Sequence, residues 1–192
     1  MGKLFDKLTK KLDAKRRPYC AALVAAAGCS SRMGGTDKLT SLLCGVPVLV
    51  RTLTALDRAE LLAVHDGARP LICPEQVDEM IRLGQRTYAA APALPVTDTV
   101  KVADMQGLVQ STPDRKTLFA VQTPQVFQAN ILKAALQSAM DAGAELTDDC
   151  SAVERLGKEV YLTAGWRENI KITTPEDLTI AEALLREREN RT

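Results

Sequence analysis

Residues 19–28 read YCAALVAAAG, a run with no charged side chain that a glycine then breaks. The run is well short of the ~20 apolar residues that span a bilayer. It has no polar side to turn toward water, so protein must cover both of its faces. A central strand of a parallel sheet meets that condition. A buried helix meets it too, since the alanine content suits either state and periodicity does not separate them. The glycine break favours the strand, and with it a layered fold whose helices lie on both sides of a sheet.

The rest of the chain alternates in the same way. Residues 47–58 read as a helix with Pro47 in its first turn and Val48, Leu49, Leu53 and Leu56 on one side. A short apolar run at 61–64 suits a buried strand, Pro74 and Glu75 open a helix to about Leu83, and residues 87–94 suit another strand. Residues 95–117 are richer in Thr, Asp, Gln, Lys and Pro and read as an exposed hairpin or arm, after which TLFAVQ returns the chain to the core. Helices are expected at 128–142, at 148–156 with Thr147 as cap, and at 175–188 behind Thr174, Pro175 and Asp177. Strands are expected at 158–163 and 169–172. The alternation predicts an α/β fold with a mostly parallel sheet flanked by helices.

Composition narrows the function. The 192 residues, 46% hydrophobic and 26% charged, suit one core, here residues 19–192 after a basic amphipathic segment at 1–18. That first segment carries seven Lys or Arg against two Asp and reads as a solvated or packed leader, with membrane-surface binding as the alternative. A net charge of +1 argues against extended nucleic-acid binding. Five scattered cysteines without a C-x-x-C pair suit a reducing, cytoplasmic setting. The chain has a single histidine, His65, which excludes a multi-histidine metal site, so the chemistry falls to Lys, Arg, Asp and backbone amides.

Three clusters can carry it. AAAGCSSRMGGTDK, residues 25–38, places bare amides, Arg32 and Lys38 at the carboxyl end of the first strand, where a phosphate can be held. A glycine-rich turn with solvated cations is the alternative, because the pattern is neither G-x-G-x-x-G nor a P-loop. HDGARP, residues 65–70, ends another expected strand. There Asp66 can face magnesium or a substrate hydroxyl, Gly67 lets a ligand approach the backbone, and Arg69 can hold the aspartate or a phosphate. Equally, the segment can be a turn closed by an Asp66–Arg69 pair. NIKIT, residues 169–173, carries Lys171 on a short expected strand, as a site cation or as an ordinary surface lysine.

AAAGCSSRMGGTDK, HDGARP, PVTDTVK, TPQVF, TDDCSAVE and NIKITTPEDL occur in this order, and the set resembles the 2-C-methyl-D-erythritol 4-phosphate cytidylyltransferases from about Cys20 to Leu185. The resemblance implies a Rossmann-like nucleotidyltransferase with a protruding β-arm. It would join CTP to a polyol phosphate in non-mevalonate isoprenoid-precursor synthesis and release pyrophosphate, with Mg2+ bound mainly through the nucleotide phosphates. It assigns Arg32, Lys38 and Lys171 to catalysis and Ala26, Ala27, Gly28, Ser31, Asp66 and Gly67 to the nucleotide. Asp66, Arg69, Thr99, Arg115 and Thr123 go to the polyol phosphate, with Asp66 the one possible protein ligand to a metal. Thr99 and Arg115, on the 95–117 arm, would serve the neighbouring subunit of a homodimer.

This assignment needs no general base, because the attacking phosphate oxygen is already anionic at neutral pH. It needs cations instead: two like charges ~4 Å apart repel by about 4 kcal/mol at an effective dielectric of ~20. The chain departs from the family at one place. Where the family has a further strand, helix and strand between the helix ending near Arg58 and the strand LLAVHD, only Ala59 and Glu60 intervene here. That block carries the family's G-G-x-x-R-x-x-S base-reading element, which has no counterpart, and its loss is expected to leave a sheet strand short of a neighbour. The other functions to weigh are an impaired or non-catalytic paralogue that binds or assembles, and a ribitol-phosphate cytidylyltransferase.

Overall fold

The structure is a computed structural model that describes residues 19–25, 42, 43, 46, 47 and 59–191. Its central sheet contains β1 (Cys20–Ala25), β4 (Leu61–Asp66), β9 (Gln125–Gln128), β5 (Ala89–Pro95) and β10 (Val160–Ala164) in that spatial order, with β8 (Phe119–Val121) added to β5. Strands β1, β4, β5 and β10 run one way. β9 runs against them between β4 and β5, and β8 is likewise antiparallel to β5. Two short ribbons complete the strands: β2 (Leu42–Leu43) with β3 (Val46–Pro47), and β6 (Val102–Ala103) with β7 (Val109–Ser111).

Alternating side chains send the sheet into two cores. Leu62, Ala89, Ala91 and Phe127 face one side, where they meet α2 (Ala129–Asp141) and α3 (Asp149–Arg155) through Leu132, Ala135, Leu136, Ala152 and Val153. Leu61, Ala63, Ala90 and Val126 face the other, against Met80 of α1 (Pro74–Gly84). Register explains the match: Phe127 lies opposite both Leu62 and Ala89, and Val126 opposite both Ala63 and Ala90. The alanines of β5 leave room for these larger neighbours.

Helix ends follow local chemistry. Gln76 accepts from the Cys73 amide ahead of Pro74 at the start of α1, and Thr174 with Asp177 caps α4 (Pro175–Asn190). Strands β4 and β5 and helices α1, α2 and α4 lie where the sequence places them.

Four expectations need correction. Helix α3 is capped by Asp148, whose carboxylate accepts from the Ser151 amide at 2.9 Å, rather than by Thr147. Pro47 belongs to β3 and not to a helix, while 48–58 lie outside the described residues, as does the basic segment 1–18. TLFAVQ does not enter the core: Phe119 and Val121 are exposed, and only Gln122 at its end is buried. Residues 169–173 form no strand, because the Ile172 amide is committed to the Ala68 carbonyl, 2.8 Å away, and not to a ladder partner.

At the short connection before β4, the Glu60 amide donates to the Tyr19 carbonyl at 2.9 Å and the Glu60 carbonyl accepts from Ala129 at 3.0 Å. β1 pairs directly with β4 and stands at the end of the sheet, with no second partner among the described residues. Residues 95–117 do form an arm. Asp104 turns the β6–β7 hairpin by accepting from the amides of Gln106 and Leu108, and Val102, Met105, Leu108 and Val109 are exposed along it.

Helix α1 lies so close to β9 that a methyl group on Gly84 would stand 2.4 Å from Cγ1 of Val126, a fully buried and stiff side chain. Overpacking of this kind costs about 1–3 kcal/mol, more than the up to ~1 kcal/mol of helix propensity that alanine returns. Gly84→Ala should therefore lower the urea midpoint. An unchanged midpoint would mean that Val126 can step aside.

Candidate functional site

The expected site residues divide into two sets. Ala26, Ala27, Gly28, Ser31, Arg32 and Lys38 lie outside the described residues. Asp66, Gly67, Arg69, Thr123 and Lys171 are described, and apart from Gly67, which lies exposed in the turn, hydrogen bonds and ion pairs draw them together. Thr99 and Arg115 lie exposed on the arm, where the Arg115 guanidinium donates to the Thr97 carbonyl at 2.8 Å. Among the described residues they share no hydrogen bond or ion pair with the Asp66 group.

Asp66 ends β4, at the carboxyl edge where ligands of α/β sheets bind. The next residues form a tight turn, with the Arg69 amide 3.0 Å from the Asp66 carbonyl. This turn folds the Arg69 side chain back so that Nε reaches Asp66 Oδ2 at 3.1 Å, and Lys171 Nζ reaches the same oxygen at 3.2 Å. Burial would raise the Asp66 pKa, but hydrogen bonds and charge from Lys171 and Arg69 outweigh it and hold the carboxyl below its usual value. The two cations differ in access: the Arg69 side chain is 11% exposed and Lys171 47%. Arg69 also donates to the Asn169 carbonyl at 2.8 Å, so it is a fixed brace for the aspartate, whereas Lys171 has room to exchange partners.

Thr123 and His65 fix the backbone beneath. The Asp66 amide donates to Thr123 Oγ1 at 3.0 Å, and Oγ1 lies 3.0 Å from His65 Nδ1. His65 Nε2 lies 3.1 Å from the Arg69 carbonyl, which can only accept, so the neutral ring carries its proton on Nε2. Nδ1 then accepts from the Thr123 hydroxyl. That hydroxyl thus both donates and accepts inside the protein, and through it Thr123 acts on Asp66.

A second carboxylate was not anticipated from the sequence. Buried Gln125 of β9 donates to Asp148 at 2.8 Å and accepts from the Cys150 amide at 3.3 Å, which brings the start of α3 to the same end of the sheet. Asp149 is consequently half-buried near two other carboxylates. Burial first, then Asp148 and Asp66, pushes its pKa up from 3.8 to about 6. The available signal was a glutamine inside the apolar run TPQVF, followed later by two adjacent aspartates. Asn169, fully buried two residues before Lys171, was also missed, because asparagine is ordinarily a surface residue.

No group of three or more His, Cys, Asp or Glu among the described residues could cage a metal ion. Both cations take Asp66 Oδ2, so Oδ1 is the oxygen it has to offer. Magnesium commonly binds through one or two carboxylates together with substrate phosphates, and one carboxylate oxygen beside two cations fits that mode. No helix of the described residues is long and apolar enough to cross a membrane.

Comparison with known proteins adds the family context. The family model described as 2-C-methyl-D-erythritol 4-phosphate cytidylyltransferase matches residues 54–187. The curated protein of that name from Desulforamulus reducens is 46% identical over 158 residues, covering 81% of this chain, and this chain spans 64% of its length. The one from Dehalococcoides mccartyi is 35% identical over 219 aligned positions, covering 86% of this chain and 95% of the relative. That alignment is longer than the chain's 192 residues, so it includes residues of the relative with no counterpart here. Among solved structures, the enzyme of the same name from Thermus thermophilus superposes with a TM-score of 0.63 at 38% identity, covering 72% of this chain and 67% of that one.

The raised Asp149 pKa has a definite sign. Between about pH 4 and pH 6 the folded protein binds more protons than the unfolded chain, so stability falls as pH rises through this window, and the full cost is present above about 6. Asp149→Asn should leave stability near pH 4 little changed and raise it at pH 7–8 by on the order of 2 kcal/mol. Urea unfolding at both pH values checks this. An equal gain at pH 4 would show that titration is not the cause.

Proposed function

The chain belongs to the 2-C-methyl-D-erythritol 4-phosphate cytidylyltransferase family, and from that premise we propose that it transfers the cytidylyl group of CTP to 2-C-methyl-D-erythritol 4-phosphate in non-mevalonate isoprenoid-precursor synthesis. The observation that carries this reading is the meeting of Asp66, Arg69 and Lys171 at the carboxyl end of β4.

In the reaction, an anionic phosphate oxygen of the polyol phosphate attacks the α-phosphorus of CTP. A new P–O bond forms as the bond from that phosphorus to the bridging oxygen of the β-phosphate breaks, and the electron pair leaves with pyrophosphate. No proton has to be removed from the nucleophile, which suits a cluster that contains no free imidazole. Lys171, half-exposed and paired only with Asp66 among the described residues, moves its ammonium from the aspartate to a phosphate oxygen and offsets the repulsion between the two substrates. Arg69 stays on Oδ2 and keeps Asp66 ionised and oriented. Asp66 Oδ1 would accept from a substrate hydroxyl or would help hold magnesium carried by the triphosphate. When bound, the metal neutralises charge on the nucleotide phosphates. Arg32 and Lys38, with the amides of Gly28 and Ser31, would complete the phosphate site.

We further propose a homodimer in which Thr99 and Arg115 of one arm serve the partner's site. The exposed Val102, Met105, Leu108 and Val109 support this, since a single chain leaves their apolar surface in water. The free thiols of Cys20, Cys73 and Cys150 support a reducing, cytoplasmic setting.

The second reading is an impaired or non-catalytic paralogue. The absence of the family's base-reading block between Arg58 and Leu61 favours it. Pyrophosphate release with CTP, UTP and ATP against methylerythritol phosphate and ribitol phosphate separates the two. Turnover is expected with CTP and methylerythritol phosphate. A folded, dimeric, magnesium-supplied protein that releases no pyrophosphate would favour the paralogue.

Lys171→Ala and Arg32→Ala should each lower turnover by about a hundredfold or more while thermal unfolding stays cooperative, as expected when a charge acts mainly in the transition state. Turnover near that of the parent in both variants would reject the assignment.

A further inference from the structure

The sequence suggests that a strand carries Lys171, yet residues 169–173 have no ladder hydrogen bonds to hold them. What fixes the lysine is Asn169. Its side chain has no exposed surface, and its Nδ2 donates to the Thr123 carbonyl at 2.8 Å. Its own carbonyl accepts from Arg69 Nη1 at 2.8 Å and from Gln122 Nε2 at 3.3 Å. On the far side of Lys171, the Ile172 amide donates to the Ala68 carbonyl at 2.8 Å. Lys171 is thus suspended between two anchors, one on the Thr123 segment and one on the Asp66–Arg69 turn.

Gln122 braces the first anchor. Buried at the end of β8, it donates to the Trp166 carbonyl at 2.9 Å and accepts from the Trp166 amide at 3.0 Å. The backbone at Gly165 closes over this pair. A methyl group there would stand 2.7 Å from Gln122 Oε1 and 2.9 Å from the Ala93 carbonyl carbon, so no side chain fits.

The energetics of Asn169 argue against a purely stabilising part. Its Oδ1 is buried without a hydrogen-bond partner among the described residues, and an unsatisfied buried acceptor costs about as much as the Nδ2 bond contributes. The net return in stability is small, while the geometric consequence is large, because the same residue touches the segments that bear Asp66, Arg69 and Lys171. We propose that Asn169, braced by Gln122, is a positioning residue that holds the Lys171 ammonium and the Arg69 guanidinium against Asp66. This rests on the transferase reading for its catalytic meaning, but the placement of Lys171 can be measured independently.

The test compares the parent with Asn169→Ala, Asn169→Ser and Gln122→Ala, keeping the variants whose circular dichroism and cooperative thermal unfolding match the parent. Acetylation of Lys171 by acetic anhydride is followed by peptide mass spectrometry, with Lys158 as internal reference. Release of the lysine from Asp66 should raise its relative labelling about threefold, the scale of a half-exposed ion pair. In the pyrophosphate assay, Asn169→Ala should lower kcat about 10- to 100-fold with a smaller change in KM, and should cost clearly less in a Lys171→Ala background than in the parent. Asn169→Ser, which keeps a donor, should recover part of the loss. Unchanged Lys171 labelling in the folded variants overturns the proposal whatever the turnover, as does an Asn169→Ala loss that adds in full to that of Lys171→Ala. A parent that releases no pyrophosphate rejects the transferase reading instead and leaves the labelling result to decide the positioning.

Discussion

Strand β9 runs against β4 and β5, and this reversal ties the core of the molecule to its charged site. A strand inserted antiparallel begins where its neighbours end. The residues that enter β9 therefore arrive at the carboxyl edge of β4, which sets Thr123 under the Asp66 amide and Gln125 beside Asp148. Val126 and Phe127 then fill the two opposite cores between the flanking strands. Had β9 run parallel, the same residues would have entered at the far edge, and the turn holding Asp66 would have lost its support. The stretch from Thr123 to Phe127 thus serves site and core together, so a change in the packing of β9 must be felt at Asp66.

Among the described residues, carboxylates and cations are mixed at that edge. Arg69 and Lys171 both contact Asp66, Asp149 lies near enough to Asp66 to feel its charge, and Asp148 is engaged in capping α3 and in its bond from Gln125. Among these, only the Asp66 carboxyl is compensated by direct contact with cations. Asp149 bears the cost of its burial and of its anionic neighbours, and its affinity for a proton rises accordingly. Such a mixture holds its cations in place better than an array of cations alone would. Arginine and lysine left unpaired in a half-buried edge would repel one another, whereas a lysine resting on an aspartate is kept in place yet can be transferred to an incoming anion.

Much of this was legible in the sequence. The apolar runs at β4 and β5, the proline and acidic starts of α1 and α4, and the HDGARP turn at a strand end each have a local cause, and each lies where expected. The errors share a different origin. TPQVF did not read as a strand because a proline and a glutamine interrupt it, and only the pairing of β9 with two neighbours makes its backbone extended. NIKIT alternates like a strand but has its Ile172 amide claimed by Ala68 and its Asn169 carbonyl by Arg69 and Gln122, partners about a hundred and about fifty residues away. Thr147 lost the cap to its neighbour because Asp148 is also held by Gln125. In each case a tertiary hydrogen bond outweighed a local preference, and no pattern within a short window encodes it.

The junction before β4 bears on how far phosphate chemistry and base selection are separable in this fold. The backbone there is satisfied: Glu60 bridges Tyr19 and Ala129, and β1 takes its place directly beside β4. The Asp66 turn is braced from Thr123, Asn169 and Ile172, none of which lies near the junction in sequence. Among the described residues, nothing in that bracing draws on a segment between Arg58 and Leu61. The cluster of Asp66, Arg69 and Lys171 therefore forms in a chain that lacks the family's base-reading block. Attraction of a triphosphate by charge carries no information about its base, which must be read by hydrogen bonds to its edge. In this fold, then, the charged cluster and any contacts that read a base are separable, and the first stands without the second.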